Sequence, residues 1–248
     1  GRPAAVNIPA PRGELSGWLA GALEGDGDAT EPPAPALTDS PAWLDEDLQL
    51  ALWCCYELHY RGFDGVPDEL EWSPRVLGFR AALERRWLSG LRELAGRVAV
   101  PAPEGVPRAL RRLVDGWSGP DLSGFLLREA DRTQFAEFVL HRSVYQLKEA
   151  DPHSFGIPRL EGATKAALVE IQADEYGGGR PERMHAELFR ATMRGLGLDD
   201  GYGRYVSRVP AVTLALSNLM SLFGLHRRWL PALLGHLAAL EMTSTGPN

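Results

Sequence analysis

Glu182-Arg183-Met184-His185, with Glu175 seven positions earlier and Glu149 before that, brings three carboxylates and an imidazole into one stretch of the chain. Residues three apart on a helix share a face, so Glu182 and His185 can point at one cation, with the carboxylate a hard ligand and the neutral imidazole a borderline one. Such mixed donors suit iron. Two-iron carboxylate sites in helical bundles take a Glu-x-x-His pair from a helix and single carboxylates from its neighbours. A bare Glu-x-x-His is also a common solvated pair on a charged helix. Here His185 continues into the row Phe189, Thr192 and Leu196, and Met184, Leu188 and Ala191 line the adjoining row. The pair is therefore expected to face inward or into a cleft, where carboxylates are rare unless paired or metal-bound.

Glu175 lies two turns before Glu182 if one helix runs through Gly177-Gly178-Gly179; if the glycines kink it, the kink places Glu175 instead. With Arg180 the glycine run resembles a phosphate loop only superficially, since no strand precedes it and the P-loop lysine and hydroxyl are missing. It reads as conformational slack beside a site. Glu149, in a row with Phe138 and Tyr145, reads in isolation as a charge at a helix end.

Other chemistries lack their minimal parts. There is no Gly-x-Ser-x-Gly elbow, no His-Glu-x-x-His helix and no Cys-x-x-Cys pair. His59, His141 and His153 have no partner at ligand spacing, and His141 and His153, which flank Glu149, read as helix-surface or capping residues, while His226 and His236 suit helix ends, where the dipole favours a cation. Glu57 reads as a packing or surface residue, and the adjacent Cys54 and Cys55 as buried small hydrophobes.

The elements that must position these residues are helical. Ser40-Pro41-Ala42-Trp43 is a helix start with Leu44, Leu48, Leu52 and Cys55 at helical spacing, predicting a helix to about Tyr60. Further helices are expected over 73–94, 107–116, 121–149 with a break near 131–133, 162–176, 181–195, 210–226 and 229–242. No period-two run of strand length occurs. The expected fold is an all-α antiparallel bundle. Three regions are expected: a Pro/Gly-rich flexible tail at 1–38, N-terminal helices at 39–118, and the bundle that carries the site at 119–248.

A chain of 248 residues, 44% hydrophobic and 24% charged, can build one sizeable core. Its net charge of −7 argues against nucleic-acid binding, which needs a basic stripe. The most apolar run, 211–225, is interrupted by Thr213, Ser217, Asn218 and Ser221 and falls short of the roughly 18–20 residues that span a bilayer, so no membrane partner is expected. Two cysteines cannot build a disulfide framework, and no charged-then-apolar leader opens the chain; a cytoplasmic location is the expectation.

Three segments carry a resemblance: Lys148-Glu149-Ala150-Asp151-Pro152-His153, Ile157-Pro158-Arg159-Leu160, and the run from Glu170 to His185 that contains Asp174-Glu175-Tyr176-Gly177. With the runs 218–228 and 240–244 they make residues 120–248 resemble the heme-oxygenase-like diiron oxidases, the iron-containing redox enzymes. The resemblance implies a heme-oxygenase-like bundle holding two irons. It carries Glu149 over as the first carboxylate, Glu182 and His185 as the pair, and Glu175 as an additional carboxylate. It implies dioxygen as co-substrate and oxidation of a small molecule bearing an amine or carboxylate, in a pocket for which Trp87, Phe189, Phe223 and Trp229 are candidate walls. The family's third motif, His-x-x-x-Asp-x-x-His, does not occur in these residues and would be expected beyond Asn248. With that helix missing, the alternative is a catalytically incomplete scaffold that binds a partner or ligand, and an exposed apolar face would favour a homodimer. A metal-free, cysteine-dependent relative is a third reading, disfavoured because Cys54 and Cys55 lie far from the other candidates.

Overall fold

The computed structural model describes residues 6–25, 30–35, 40–116 and 118–244. Eleven α-helices are formed among them: α1 Glu14–Glu24, α2 Glu46–Glu57, α3 Pro74–Ala95, α4 Val106–Asp115, α5 Leu122–Arg128, α6 Arg132–Gln146, α7 Asp151–Ser154, α8 Gly162–Glu175, α9 His185–Leu196, α10 Ala211–Leu225 and α11 Leu230–Ser244. The only β feature among the described residues is an isolated bridge between Val6 and Phe63. The chain is all-α, as its periodicity implied.

Helix α2 is the centre of the core. Every residue from Leu48 to Glu57 is buried, because α1, α3 and α10 cover it on different sides. A helix buried all round can still carry polar groups if each finds a partner. Asn218 of α10 donates to both the backbone and side-chain oxygens of Gln49 at 2.8 Å, and Gln49 donates to the Ala42 carbonyl at 2.8 Å. Asp45 caps α2 by accepting from Leu48 N at 2.9 Å. The expected start at Ser40-Pro41 is instead a 3₁₀ turn, Ala42–Leu44.

The 1–38 segment departs from expectation. Its parts at 1–5, 26–29 and 36–39 lie outside the described residues, but α1 is a packed helix and not a flexible tail. Leu15, Leu19 and Leu23 are buried, and the Trp18 ring lies 4.5 Å from Phe79. Its cap comes from another helix: the Asp47 carboxylate accepts from Leu15 N and Ser16 N at 2.8 Å each. A side chain at Gly13 would put its Cβ 2.5 Å from that carboxylate, so glycine is required there. A partner 31 to 32 residues away leaves no local capping signal in the sequence.

The expected long helix over 121–149 is two helices followed by turns. Asp131 and Gln134 form a reciprocal capping box that starts α6, and α6 ends at Gln146. Residues 147–150 are turns leading into α7, so Glu149 does not continue the Phe138–Tyr145 row. Helix α10 sets the position of α7: a Cβ on Gly224 would collide with the Pro152 carbonyl, so only glycine allows this approach. Arg159 donates to the Gly224 carbonyl at 2.6 Å and the Leu225 carbonyl at 3.0 Å, satisfying the free end of α10. No helix among the described residues is long and apolar enough to cross a membrane.

Candidate metal centre

Helix α8 ends at Glu175 because the next residues cannot continue it. Gly177, Gly178 and Gly179 all have positive φ, at 65°, 60° and 78°. At Gly177 a Cβ would lie 2.6 Å from the Arg183 carbonyl carbon, so the chain folds back on itself there only with glycine. The turn Pro181–Arg183 follows, Met184 is extended, and α9 begins at His185. The glycines therefore kink the chain and place Glu175 at the end of one helix and His185 at the start of the next.

Glu149, Glu175 and His185 come together. One ligand atom from each lies within 4.8 Å of the others, and His185 Nδ1 is 2.9 Å from Glu175 Oε2. Glu182 is the exception. It sits exposed on the Pro181–Arg183 turn, outside the helix that starts at His185, so the shared-face argument for a Glu-x-x-His pair does not apply in this structure. The missing premise is continuity: three residues apart means one face only where both lie in one helix.

The scaffold around the cluster is hydrogen-bonded. Gln172 of α8 donates to the Ala150 carbonyl at 2.8 Å and to Ser154 Oγ at 2.7 Å. Tyr176 donates to Asp151 Oδ1 at 2.8 Å. These bonds tie the end of α8 to the 147–150 turn and to α7 and so fix Glu175 relative to Glu149. The donors open onto a cavity of about 400 Å³ whose walls include Leu188, Phe189, Leu237 and Leu240 with Gln146 and Thr192. Of the four aromatic residues expected as walls, only Phe189 is one. Trp87 is buried in the main core, and Phe223 packs on Trp229 with ring centroids 6.1 Å apart.

Glu241 of α11 faces the same cavity and was not singled out from sequence. It is the only acid in the α11 sequence LPALLGHLAALEMTS, four residues after the buried Leu237. An acid on the buried stripe of an otherwise apolar helix is the signal that could have found it.

Crowding and burial in the cavity raise the pKa of its clustered carboxyls. Burial, then the charge of Glu175, pushes the Glu149 carboxyl up to about 7; His185 and Arg142 oppose the rise and Glu241 adds to it. Glu175 is also raised, by burial, with His185 opposing and Glu241 adding. The surplus of negative charge over positive in one pocket is what a bound cation relieves.

Beneath the cluster lie His153 and His236, which were expected at helix surfaces or ends. His153 is only 2% exposed and stacks on His236 at 6.4 Å and 22°. Burial, then His236, lowers the His153 pKa to about 4, against the opposing bond to the Glu149 backbone. The folded pKa lies below the unfolded one, so between them the unfolded chain takes up the proton and the native state does not. Stability is present above pH 6.5 and is lost as pH falls towards 4. From pH 7.5 to 5, the wild type should lose about 2 kcal/mol more than His153→Asn, measured by urea unfolding at each pH. Equal losses would show that His153 does not carry the acid sensitivity.

His226 pairs with Glu84 at 2.9 Å, and His141 bonds Thr213 at 3.0 Å. Cys54 and Cys55 are buried small residues, and burial raises both thiols, Cys55 to about 12, which keeps them un-ionised and unreactive. No curated protein matches the chain. Residues 136–248, which include all three clustered donors and Glu241, match the model of a family described as iron-containing redox enzyme, in keeping with an all-α heme-oxygenase-like fold.

Proposed function

We propose that this protein is a non-heme, dioxygen-dependent oxidase or oxygenase that binds two irons and acts on a small metabolite bearing an amine or carboxylate. The observation that carries the reading is the Glu149–Glu175–His185 cluster opening onto a cavity of about 400 Å³ within the family-matched segment. Two oxygen donors and one imidazole fit iron and leave coordination positions open. Glu241 lines the same cavity.

When bound as the ferrous ion, the metal would activate dioxygen. The chain's own residues do the rest. With its carboxyl raised to about 7, Glu149 is part-protonated near neutral pH and must give up that proton to ligate, so metal binding and proton release are coupled there. Leu188, Phe189, Leu237 and Leu240 keep the cavity apolar, and Gln146 and Thr192 offer the substrate hydrogen bonds.

A second reading is a scaffold that binds a ligand or partner without catalysis. It is favoured by the exposed position of Glu182, which leaves one fewer donor at the cluster than the sequence implies. Anaerobic ferrous titration with metal analysis separates the two. About two irons per chain, lost in Glu175→Ala, with an absorbance change on adding oxygen, is the expected result. Iron binding no tighter in wild type than in Glu175→Ala would sink the oxidase reading. Comparing Glu182→Ala tells whether the 176–184 segment keeps its turns: unchanged affinity means that it does, and loss means that Glu182 is brought in as a ligand.

A further inference from the structure

On the other side of the cluster, a narrow cavity of about 80 Å³ is walled by Glu149, Glu175 and His185 and also by Arg61 and Arg190. The same two arginines line a larger chamber of about 550 Å³, whose other walls include Tyr202, Arg204, Asp199 and Ser207. The chamber is closed on one side by Val6, Ile8 and Pro9, held there by the bridge to Phe63 and by Asp64 N donating to the Val6 carbonyl at 2.9 Å. The N-terminal segment therefore helps to build a vestibule that shares its Arg61 and Arg190 walls with the narrow cavity, or neck, beside the candidate metal centre.

The three guanidiniums of the vestibule differ in what they hold. Arg204 pairs with Asp199 at 2.9 Å, and Arg190 pairs with Glu187 at 3.2 Å and also reaches the Asp200 carbonyl. Arg61 makes no hydrogen bond or ion pair among the described residues. Its guanidinium lies over the Tyr202 ring, 3.9 Å from the guanidinium carbon to the centroid, within the field of the Glu57 carboxylate behind that ring. That ring cannot drift, because Tyr202 donates to Glu57 Oε2 at 2.6 Å and Glu57 is itself fully buried. Arg61 is thus a half-buried cation seated on a fixed aromatic platform, with no hydrogen bond or ion pair taken up by its guanidinium among the described residues. A planar fork of donors in such a place matches a carboxylate, which accepts two parallel bonds from it.

We propose that the vestibule binds a small carboxylate through Arg61, holding the substrate's acidic end while the remainder enters the neck towards Glu149, Glu175 and His185. The anion site stands on the vestibule alone; its use by a substrate rests on the iron-site reading above.

The test uses the full chain without metal and the stable aryl carboxylate 4-bromobenzoate as the probe. Calorimetric titration at constant ionic strength should show binding that falls about tenfold or more in Arg61→Gln, the loss expected for a charge-assisted bond. Arg194→Gln, which removes the same charge from an exposed pair with Asp200 outside the chamber, should stay within about twofold because exposed charges are screened. In soaked crystals the bromine, located by its anomalous scattering, should lie in the vestibule with the carboxylate on Arg61; this arm decides the matter if Arg61→Gln does not fold. No binding, bromine elsewhere, or equal affinity in Arg61→Gln overturns the proposal. Tighter binding of inorganic phosphate than of 4-bromobenzoate overturns its carboxylate assignment. The ferrous titration is separate: a chain that binds the carboxylate but fails to bind ferrous iron leaves the anion site standing and removes the oxidase, and a chain that binds iron but not the carboxylate does the reverse.

Discussion

Glu149→Gln is expected to make the metal-free protein more stable at pH 8 while weakening iron binding on the order of 100-fold. The two effects have one cause. In the native state burial and the charge of Glu175 raise the Glu149 carboxyl from 4.5 to about 7. Between those values the native chain holds a proton that the unfolded chain has released. The stabilisation from this group is complete below pH 4.5 and is lost as pH rises through 7. At pH 8 the wild type carries a charge that its surroundings disfavour, and the uncharged amide does not. Discounting the full shift for the solvent that reaches the cavity leaves about 1 to 2 kcal/mol in favour of the variant, a rise of a few degrees in melting temperature. The advantage should shrink as pH falls from 7 to 4.5. With saturating ferrous iron the order should reverse, because the wild type, which binds on the order of 100-fold more tightly, gains more linkage stabilisation from the metal than the variant does. Thermal melts at pH 8 and pH 5, with and without anaerobic iron, check all four cases. A variant less stable at pH 8 without metal would mean that Glu149 is a structural hydrogen-bonding residue, and the metal assignment would lose its physical basis.

The helical elements could be read from the chain because their signals are local. Ser73 followed by Pro74 starts α3 as its sequence implies, with Ser73 Oγ accepting from Val76 N at 3.5 Å. Helices α8, α10 and α11 fall within a few residues of the boundaries given by their apolar spacing and flanking Gly or Pro. What could not be read depends on partners distant in sequence. Helix α1 is capped by Asp47, and Glu149 sits in a turn held by Gln172 and approached by Gly224. The site shows the same division. Glu175 and His185 were legible as ionisable residues beside a glycine run, and the positive φ angles of those glycines bring them face to face. Glu182 shares their local pattern, yet the Pro181–Arg183 turn carries it outward. Arg61 has no motif at all. Among the described residues it is set apart from the other two arginines around the chamber by having no direct ion pair, a fact that exists only in three dimensions.

The residue just before Glu149 carries the other large expected effect. Lys148 is 3% exposed and Glu57 fully buried, and they pair at 3.3 Å. The lysine ammonium also lies 4.2 Å from the Tyr60 ring centroid. Burial lowers the Lys148 pKa and raises that of Glu57, and each is pulled back by the other's charge, so neither is at ease alone. Lys148→Met should therefore destabilise the fold by about 3 to 5 kcal/mol, the cost of stranding one member of a buried pair. Glu57→Gln should do less, since its amide can still accept from Tyr202, and the double variant Glu57→Gln/Lys148→Met should recover much of the loss. The geometry extends the effect to the metal centre. Glu57 anchors Lys148 from α2, Lys148 precedes the ligand candidate Glu149, and Glu57 also fixes the Tyr202 platform under Arg61. If the pair positions both sites, the double variant should regain stability while still binding iron and 4-bromobenzoate more weakly than the wild type. Urea unfolding of the four proteins of the cycle, with both ligand titrations on those that fold, separates the roles. Restored stability together with restored affinities would reduce the pair to packing, whereas restored stability with weakened binding would make it the element that couples the core to the vestibule and the cluster.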